Sequence, residues 1–279
     1  MTEHPTSTGI AYTRSGRGPG PEQSGDGHDP RGVVLVHGWC CDRSYLAPQG
    51  EHLAPTRSVV ALDLRGHGSS TTLSTTPAST TPASTTPAGA DDAYAITDFA
   101  DDVASVLTDA GLDQPIVIGH SLGGLVALEC AARGQASAVV LLDPAPILDE
   151  RGRSYFARSV PDVEADVDGA WRRRFVDRIV LPTDTVRLDE IRSDFAAVDP
   201  HVAATTMRGM ATYDSAAALR AISVPVLIIS AAHPEDPAPL RDLLPHLVTG
   251  QTVGAGHFLQ LEVPEQVNAM IDRFLALWG

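Results

Sequence analysis

Short apolar runs recur along the chain, separated by stretches in which apolar residues follow a helical spacing. Six runs predict β-strands: VVLVHG at 33–38, SVVALD at 58–63, PIVIG at 115–119, AVVLLD at 138–143, VPVLIIS at 224–230 and LVTGQTV at 247–253. The first five are continuously apolar, which is typical of strands buried on both faces of a parallel sheet. Helices are predicted between them, one from an N-cap at Thr97 to Gly111, one over 122–133 and one from Pro264. This alternation predicts a doubly wound, mostly parallel α/β sheet.

Residues 144–215 interrupt the alternation. They contain no predicted strand and consist of helical patterns, which we interpret as a helical cap inserted into an α/β core formed by 1–143 and 216–279. Aromatic residues of this cap, among them Trp171 and Tyr213, are candidates for an apolar substrate pocket together with Trp39 of the core.

Two segments of the core lack any such pattern. Residues 16–31 are rich in Gly, Pro and Asp and predict a long loop. Residues 74–88 are three tandem copies of STTPA, with a proline in every copy and no apolar face. Such a sequence cannot bury enough apolar surface to order itself, so it predicts a disordered surface insertion whose deletion costs little stability.

Composition narrows the expected partners and compartment. The 279 residues are 43% hydrophobic, and 20 Lys and Arg against 35 Asp and Glu give a formal net charge of −15. No basic face suited to a phosphate backbone is apparent, so we expect no nucleic-acid partner. The chain shows no signal peptide, no apolar run of the roughly 20 residues that a membrane helix needs, and no disulfide framework in its three cysteines. We therefore expect a cytoplasmic protein that binds a small-molecule substrate and no membrane, and assembly as a homodimer is left open.

The segment PIVIGHSLGGLVALE, residues 115–129, places Ser121 where a predicted strand ends and a predicted helix begins. Its centre fits the pattern G-x-S-x-G, in which a strained strand-to-helix turn exposes the serine hydroxyl and the flanking glycines allow close backbone approach. In this context the motif indicates a nucleophile. The alternative is a tight turn whose serine only caps the following helix.

Together with this motif, three further segments resemble the α/β-hydrolase fold family: LVHGW at 35–39, DLRGHGSS at 63–70 and GAGHFLQLEVPEQVNAMIDRF at 254–274. The resemblance extends from about Val33 to Phe274. It implies that Ser121 is the nucleophile, that His257 is its general base, and that the backbone N–H groups of Trp39 and Leu122 form the oxyanion hole. No ligand-spaced cluster and no G-x-G-x-x-G after a strand indicates a metal or an organic cofactor.

The sequence leaves the acid of the triad open. Family members place an Asp shortly after the strand equivalent to 224–230, but the continuation AAHPEDPAP puts Pro234 in that register. Some members draw the acid from the preceding strand, and Asp143 ends that strand here, so we take Asp143 as the acid. Asp236 and Glu235 are the alternatives, if the loop bulges by one or two residues.

These residues predict a serine hydrolase that cleaves an ester, a lactone or a related acyl bond of a small to medium apolar substrate through an acyl-enzyme. Serine at the turn argues against haloalkane dehalogenase and epoxide hydrolase chemistry, for which this family uses a carboxylate nucleophile. A C–C bond hydrolase on the same fold is one alternative. Another is a cofactor-independent dioxygenase, since HGWCCD at 37–42 resembles a segment of the quinolone dioxygenases. A ligand-binding receptor or pseudoenzyme is a third.

Overall fold

The computed structural model describes residues 2–16, 31–70, 93–232, 234 and 236–278. The STTPA repeat at 74–88 and Glu235 lie outside the described residues, as does most of the predicted loop at 16–31. In the part of the chain that is described, no helix is both long enough and apolar enough to cross a membrane.

The described residues form one sheet of eight strands in the order β1-β2-β4-β3-β5-β6-β7-β8. The strands are β1 (Thr2–Pro5), β2 (Ala11–Gly16), β3 (Val33–Val36), β4 (Ser58–Leu62), β5 (Ile116–His120), β6 (Ala138–Leu142), β7 (Val226–Ser230) and β8 (Leu247–Gln251). At one edge of the sheet, β1 pairs antiparallel with β2, and β2 pairs antiparallel with β4. The other six strands, β3 to β8, all run parallel to their neighbours. This confirms the predicted doubly wound, mostly parallel sheet. The six predicted strands correspond to β3–β8, and neither β1 nor β2 is among them.

The central strands β3, β5 and β6 are buried at every position. Successive residues of one strand enter different apolar clusters on the two faces of the sheet, as Val117 does on one face and Ile118 on the other. Continuous apolar runs are therefore what these positions need, because neither face of the strand meets water. At the far edge of the sheet β8 is only partly buried.

Helices lie on both faces of the sheet, and five of them follow one another in the sequence between β6 and β7. The helices are α1 (Ala47–Leu53), α2 (Ile96–Ala110), α3 (Leu122–Ala132), α4 (Glu150–Glu164), α5 (Ala170–Ile179), α6 (Leu188–Ala197), α7 (Pro200–Thr212), α8 (Ser215–Ala221), α9 (Ala238–Leu243), α10 (Leu259–Glu262) and α11 (Pro264–Trp278), with a 3₁₀ turn at Arg43–Leu46 before α1. The predicted N-cap Thr97 is wrong by two residues. Helix α2 is capped at Ala95, whose N–H donates to the carboxylate of Asp98, and it ends as predicted at Gly111 with φ 64°.

The helices α4 to α7 follow one another between β6 and α8, and we use the name cap for residues 144–215 as defined above. The cap contains a charged side chain that is fully buried, that of Arg172. Its guanidinium pairs with Asp166 (Nε to Oδ2, 3.0 Å) and donates to the backbone carbonyls of Asp166 and Val198. The first arginine of the run 172–174 therefore belongs to the internal structure of the cap and not to a basic surface.

Candidate active site

Ser121 lies between β5 and α3 with φ 53° and ψ −116°, a backbone conformation that L-residues rarely adopt. The two glycines of the motif make this turn possible. A Cβ on Gly119 would overlap the carbonyl of Gly123, and a Cβ on Gly123 would overlap the carbonyl of Val36 at the end of β3. The sequence thus folds into a sharp corner that turns the serine hydroxyl toward a cavity, which Ser121 lines.

Asp143 and His257 are joined by a hydrogen bond of 2.7 Å between Asp143 Oδ2 and His257 Nδ1. Asp143 directly follows β6 and has φ 38°. Its position is fixed from β7, since its N–H donates to the carbonyl of Ile229 (2.8 Å) and its Oδ1 accepts from the N–H of Ala231 (2.9 Å). Because β5 and β6 are neighbours in the sheet, their ends bring Ser121 and Asp143 to the same edge.

The charge state of Asp143 follows from these contacts. Burial opposes its ionisation, but the hydrogen bond and the charge of His257 and the N–H of Ala231 outweigh this, so the pKa of Asp143 is lowered. An ionised carboxylate only accepts hydrogen bonds, so His257 carries its proton on Nδ1. In the neutral form of the ring the lone pair then lies on Nε2, where a general base requires it.

The alternative acids are placed differently. Asp236 lines the cavity, but its Oδ1 accepts from the N–H of Ala238 (3.0 Å), and no hydrogen bond joins it to His257 within the described residues. Glu235 lies outside those residues. Of the two candidate carboxylates that the structure describes, Asp143 is the one that bonds His257.

The two amides predicted for the oxyanion hole are those of Trp39 and Leu122. Leu122 is the first residue of α3, where a backbone N–H has no partner inside the helix. Trp39 follows β3 in a turn closed by the N–H of Cys41, which donates to the carbonyl of Gly38 (3.2 Å). Among the backbone hydrogen bonds of the described residues, none uses the N–H of Trp39 or of Leu122. Trp39 lines the cavity described below, whereas Leu122 is not among its lining residues, so an oxyanion hole formed by these two amides stays a prediction.

Three other histidines near this edge are buried and engaged in structural contacts. His37 bonds the carbonyl of Gly38 (2.8 Å) and accepts from the N–H of Leu64 (2.9 Å), and His67 bonds the carbonyl of Arg65 (3.0 Å). His120 Nε2 bonds the carbonyl of His257 (2.9 Å). Burial lowers the pKa of His37 and of His67 to about 4 and that of His120 to about 3, so all three are neutral at physiological pH.

The cavity at this edge has a volume of about 960 Å³ and is lined by residues from both the core and the cap. Its aromatic lining consists of Trp39, Tyr155, Phe156, Phe175, Phe195 and Phe258. Phe175 and Phe195 both meet the indole of Trp39 edge-on, at centroid distances of 5.4 and 5.7 Å. Such a lining suits an apolar ligand of moderate size.

Two of the three predicted pocket residues do not line this cavity. Trp171 stacks on Phe175 (5.5 Å) without being among the lining residues, and Arg178 lies over its ring. Tyr213 donates through its hydroxyl to Glu129 of α3 (2.8 Å) and so joins the end of the cap to the core. Trp39 lines the cavity as predicted, and its Nε1 donates to the carbonyl of Ala203 in the cap (2.9 Å).

Phe195 and Phe258 were missed as lining residues. Phe258 directly follows His257, so its position beside the site was readable from the sequence. Phe195 lies on α6, a mostly polar helix with two buried side chains, and nothing in its spacing indicates that it faces a cavity.

The parallel sheet, the strained serine turn and the His257–Asp143 pair together define an enzyme of the α/β class. Residues 33–270 match the alpha/beta hydrolase family, and the chain belongs to that family. The 2-(acetamidomethylene)succinate hydrolase of Mesorhizobium japonicum is 25% identical over 271 residues, which cover 87% of each chain. The pimeloyl-[acyl-carrier protein] methyl ester esterase of Chromobacterium violaceum is 32% identical over 158 residues, 54% of this chain and 52% of that protein.

A solved structure with the same fold is the enol-lactonase of Burkholderia xenovorans, with a TM-score of 0.71 and 22% identity over 99% of this chain and all of that one. At this sequence identity, the structural similarity supports the fold and not a shared activity. The two sequence relatives are named as a hydrolase and an esterase, so hydrolase activity is the function that they support for this chain.

Proposed function

We propose that this protein is a serine hydrolase that cleaves an ester, a lactone or a related acyl bond of a small to medium apolar substrate. The observation that carries the proposal is the 2.7 Å hydrogen bond between His257 Nδ1 and Asp143 Oδ2, at a cavity that Ser121 also lines. A serine becomes a nucleophile only when an oriented base takes its proton, and this pair supplies that base.

In the first half of the reaction, Ser121 Oγ attacks the carbonyl carbon of the substrate while its proton passes to His257 Nε2. The charge that develops on the carbonyl oxygen is stabilised by the N–H groups of Trp39 and Leu122, and the imidazolium by Asp143. When the bond to the leaving oxygen breaks, the proton on His257 passes to that oxygen. The product alcohol, or the free end of an opened lactone, leaves the acyl group on Ser121.

In the second half, His257 takes a proton from a water molecule, which attacks the acyl carbon. The same two amides stabilise the second oxyanion, and Ser121 leaves with the proton held by His257. The carboxylic acid product is released and the serine hydroxyl is restored. The substrate loses one acyl bond and gains the elements of one water, with no oxidant or reductant required.

The cavity supports an apolar substrate. Rings of Trp39, Phe175 and Phe195 line the cavity that Ser121 also lines, and its volume of about 960 Å³ lies at the upper end of the range for small-molecule sites. Aryl and alkyl esters of increasing acyl length are therefore the substrates to test first.

The decisive experiment is the intact mass of the protein after treatment with a fluorophosphonate, which phosphonylates an activated serine. We expect one adduct on the parent chain and none on Ser121→Ala. An unmodified parent chain, or an equal adduct on Ser121→Ala, would refute acyl chemistry at this residue. Turnover of an activated aryl ester, measured on the same two proteins, checks that labelling and catalysis share the site.

The cofactor-independent dioxygenase remains the second candidate, and one observation favours it. The resemblance to the quinolone dioxygenases implies a histidine paired with an acid from the strand next to the serine strand, and Asp143, directly after β6, provides that acid. In that reaction the histidine deprotonates the substrate and Ser121 forms no covalent bond. Oxygen uptake with a heteroaromatic substrate that survives Ser121→Ala would identify it.

A further inference from the structure

His257 lies in the loop between β8 and α10, which we call the histidine loop. This loop is bound to the cap as well as to the core. The N–H of His257 donates to the carbonyl of Ile179 at the end of α5 (2.9 Å). The N–H of Gly256 donates to the carboxylate of Asp184, at 3.0 Å from Oδ2 and 3.3 Å from Oδ1. Two consecutive backbone N–H groups of the histidine loop therefore donate to the same short segment of the cap, residues 179–184.

Asp184 is itself held in one position. It is 3% exposed, its Oδ2 accepts from the N–H of Leu181 (2.8 Å), and its own N–H donates to the carbonyl of Leu181 (3.0 Å). Within the described residues, no lysine, arginine or histidine forms an ion pair with this carboxylate. Since a buried carboxylate needs hydrogen-bond donors, the amides of its own turn and of the histidine loop are what satisfy Asp184.

Gly256 shows how close this contact is. A Cβ at this position would overlap Asp184 Oδ2 and would lie 2.8 Å from the N–H nitrogen of Leu181. Any side chain here would push the cap segment away from the histidine loop. Glycine directly before His257 thus serves the contact with the cap.

The core holds His257 from the other side. Its carbonyl accepts from His120 Nε2, and its ring donates to Asp143. The backbone N–H of His257 thus depends on the cap, while its carbonyl and its ring depend on the core. Ile179 also lines the cavity, so the segment that holds the histidine loop lies beside the bound substrate.

We propose that Asp184 is a positioning residue, which holds the imidazole of His257 in its working orientation from the cap, so that the base is in place only when the segment 179–184 is docked. The proposal rests on the function proposed above, in which His257 is the general base. Asp184 does not line the cavity among the described residues, so it acts through the histidine loop and not on the substrate. Displacements of about 1 Å in a catalytic group cost on the order of 10²-fold in rate, which sets the expected effect.

The experiment compares Asp184→Ala, Asp184→Asn and the matched control Asp199→Ala. Asp199 is another cap carboxylate that accepts two backbone N–H groups, those of His201 and Val202, but it caps α7 and does not bond the histidine loop. The measurements are kcat and KM for an activated aryl ester and the low-field proton NMR signal of His257 Nδ1–H, which is assigned by its loss in His257→Gln.

For Asp184→Ala we expect kcat to fall by on the order of 10²-fold with KM nearly unchanged, and the low-field signal to broaden or disappear. Asp184→Asn keeps the shape of the side chain and one acceptor oxygen, so its kcat and its low-field signal should lie between those of the parent and of Asp184→Ala. If the alanine variant does not fold, Asp184→Asn is compared with the parent instead. Asp199→Ala should match the parent in both readouts.

A folded Asp184 variant with the parent's kcat and the parent's low-field signal would overturn the proposal. Failure of the proposed function gives a different result, because the parent chain itself would then not react with a fluorophosphonate. The NMR comparison remains decisive in that case, since the signal reports the His257–Asp143 contact and needs no substrate.

Discussion

The ring of His120 lies next to His257 and holds its backbone: His120 Nε2 is 2.9 Å from the carbonyl oxygen of His257, and the two ring centroids are 4.7 Å apart. A carbonyl oxygen only accepts, so His120 carries its proton on Nε2. His120 is fully buried, and its pKa of about 3 keeps it neutral. It is therefore unsuited to proton transfer near neutral pH and suited to a structural contact, although it precedes the serine in the sequence.

The buried histidines predict a loss of stability toward low pH. The unfolded chain protonates His37, His67 and His120 near pH 6.5, whereas the folded chain resists protonation down to about pH 4, 4 and 3 because these rings are buried. Protons thus bind preferentially to the unfolded state, so the free energy of unfolding falls as pH falls from about 6.5, by up to about 1.4 kcal/mol per pH unit for each histidine. Urea unfolding at pH 7.5, 6 and 5 measures this.

The control for this prediction is His67→Gln, which removes one of the three titrating rings and should make the pH dependence shallower. Burial also raises the pKa values of Asp63, Asp102 and Asp194, and these carboxyls act with the opposite sign, so they make the pH dependence of the free energy of unfolding shallower. A free energy of unfolding that stays constant from pH 7.5 to 5 would contradict the prediction.

Much of the fold was predictable because its signals are local. Strands such as β5 and β6 must be apolar on both faces, and the turn at Ser121 needs glycines at fixed offsets. A few consecutive residues are therefore enough to predict each of these two features. The carboxylate that pairs with His257 is distant from it in the sequence. Its identity depends on which strand ends meet in space, and the sequence could only order Asp143, Asp236 and Glu235 by preference.

The cap was predictable as a helical segment but not in its contacts. Trp171 and Tyr213 have the composition of pocket residues, yet one supports Phe175 and the other bonds Glu129. Arg172 and Asp184 have the composition of surface residues, yet both are buried. In short helices and turns a single polar residue carries no periodicity, so its burial follows from the tertiary arrangement alone.

The acid is tested by Asp143→Asn. Asparagine keeps the shape but can present an N–H to His257, which favours the wrong tautomer of the ring, so we expect kcat to fall by about 10⁴-fold. Asp236→Asn is the matched control, because Asp236 lines the same cavity and bonds only Ala238 among the described residues; it should retain kcat within a few-fold. Near-normal turnover of Asp143→Asn, measured with an activated aryl ester, would transfer the role to another carboxylate.

The serine turn is tested by Gly123→Ala. A Cβ there would overlap the carbonyls of Val36 and His37, so α3 would have to move away from β3, at a cost of about 1–3 kcal/mol or more in the free energy of unfolding. The control is Gly50→Ala on α1, whose Cβ would lie 3.3 Å from Leu35 Cδ1 and 3.9 Å from Val59 Cγ1, both of them side-chain atoms. There the better helix propensity of alanine should offset the contact. Urea unfolding of both variants measures the difference, and equal stabilities would show that the turn does not require this glycine.

The buried arginine of the cap is tested by Arg172→Ala. The substitution leaves the carboxylate of Asp166 without its cation and the carbonyl of Val198 without a donor, so we expect a loss of about 3–5 kcal/mol in the free energy of unfolding. Its neighbour Arg173 is exposed and donates to the carbonyl of Asp168 at the surface, so Arg173→Ala should change stability by about 0.5 kcal/mol or less. Because the two substitutions remove the same charge from adjacent residues, a similar effect of both on urea unfolding would mean that net charge, and not the internal contacts of Arg172, determines the stability of the cap.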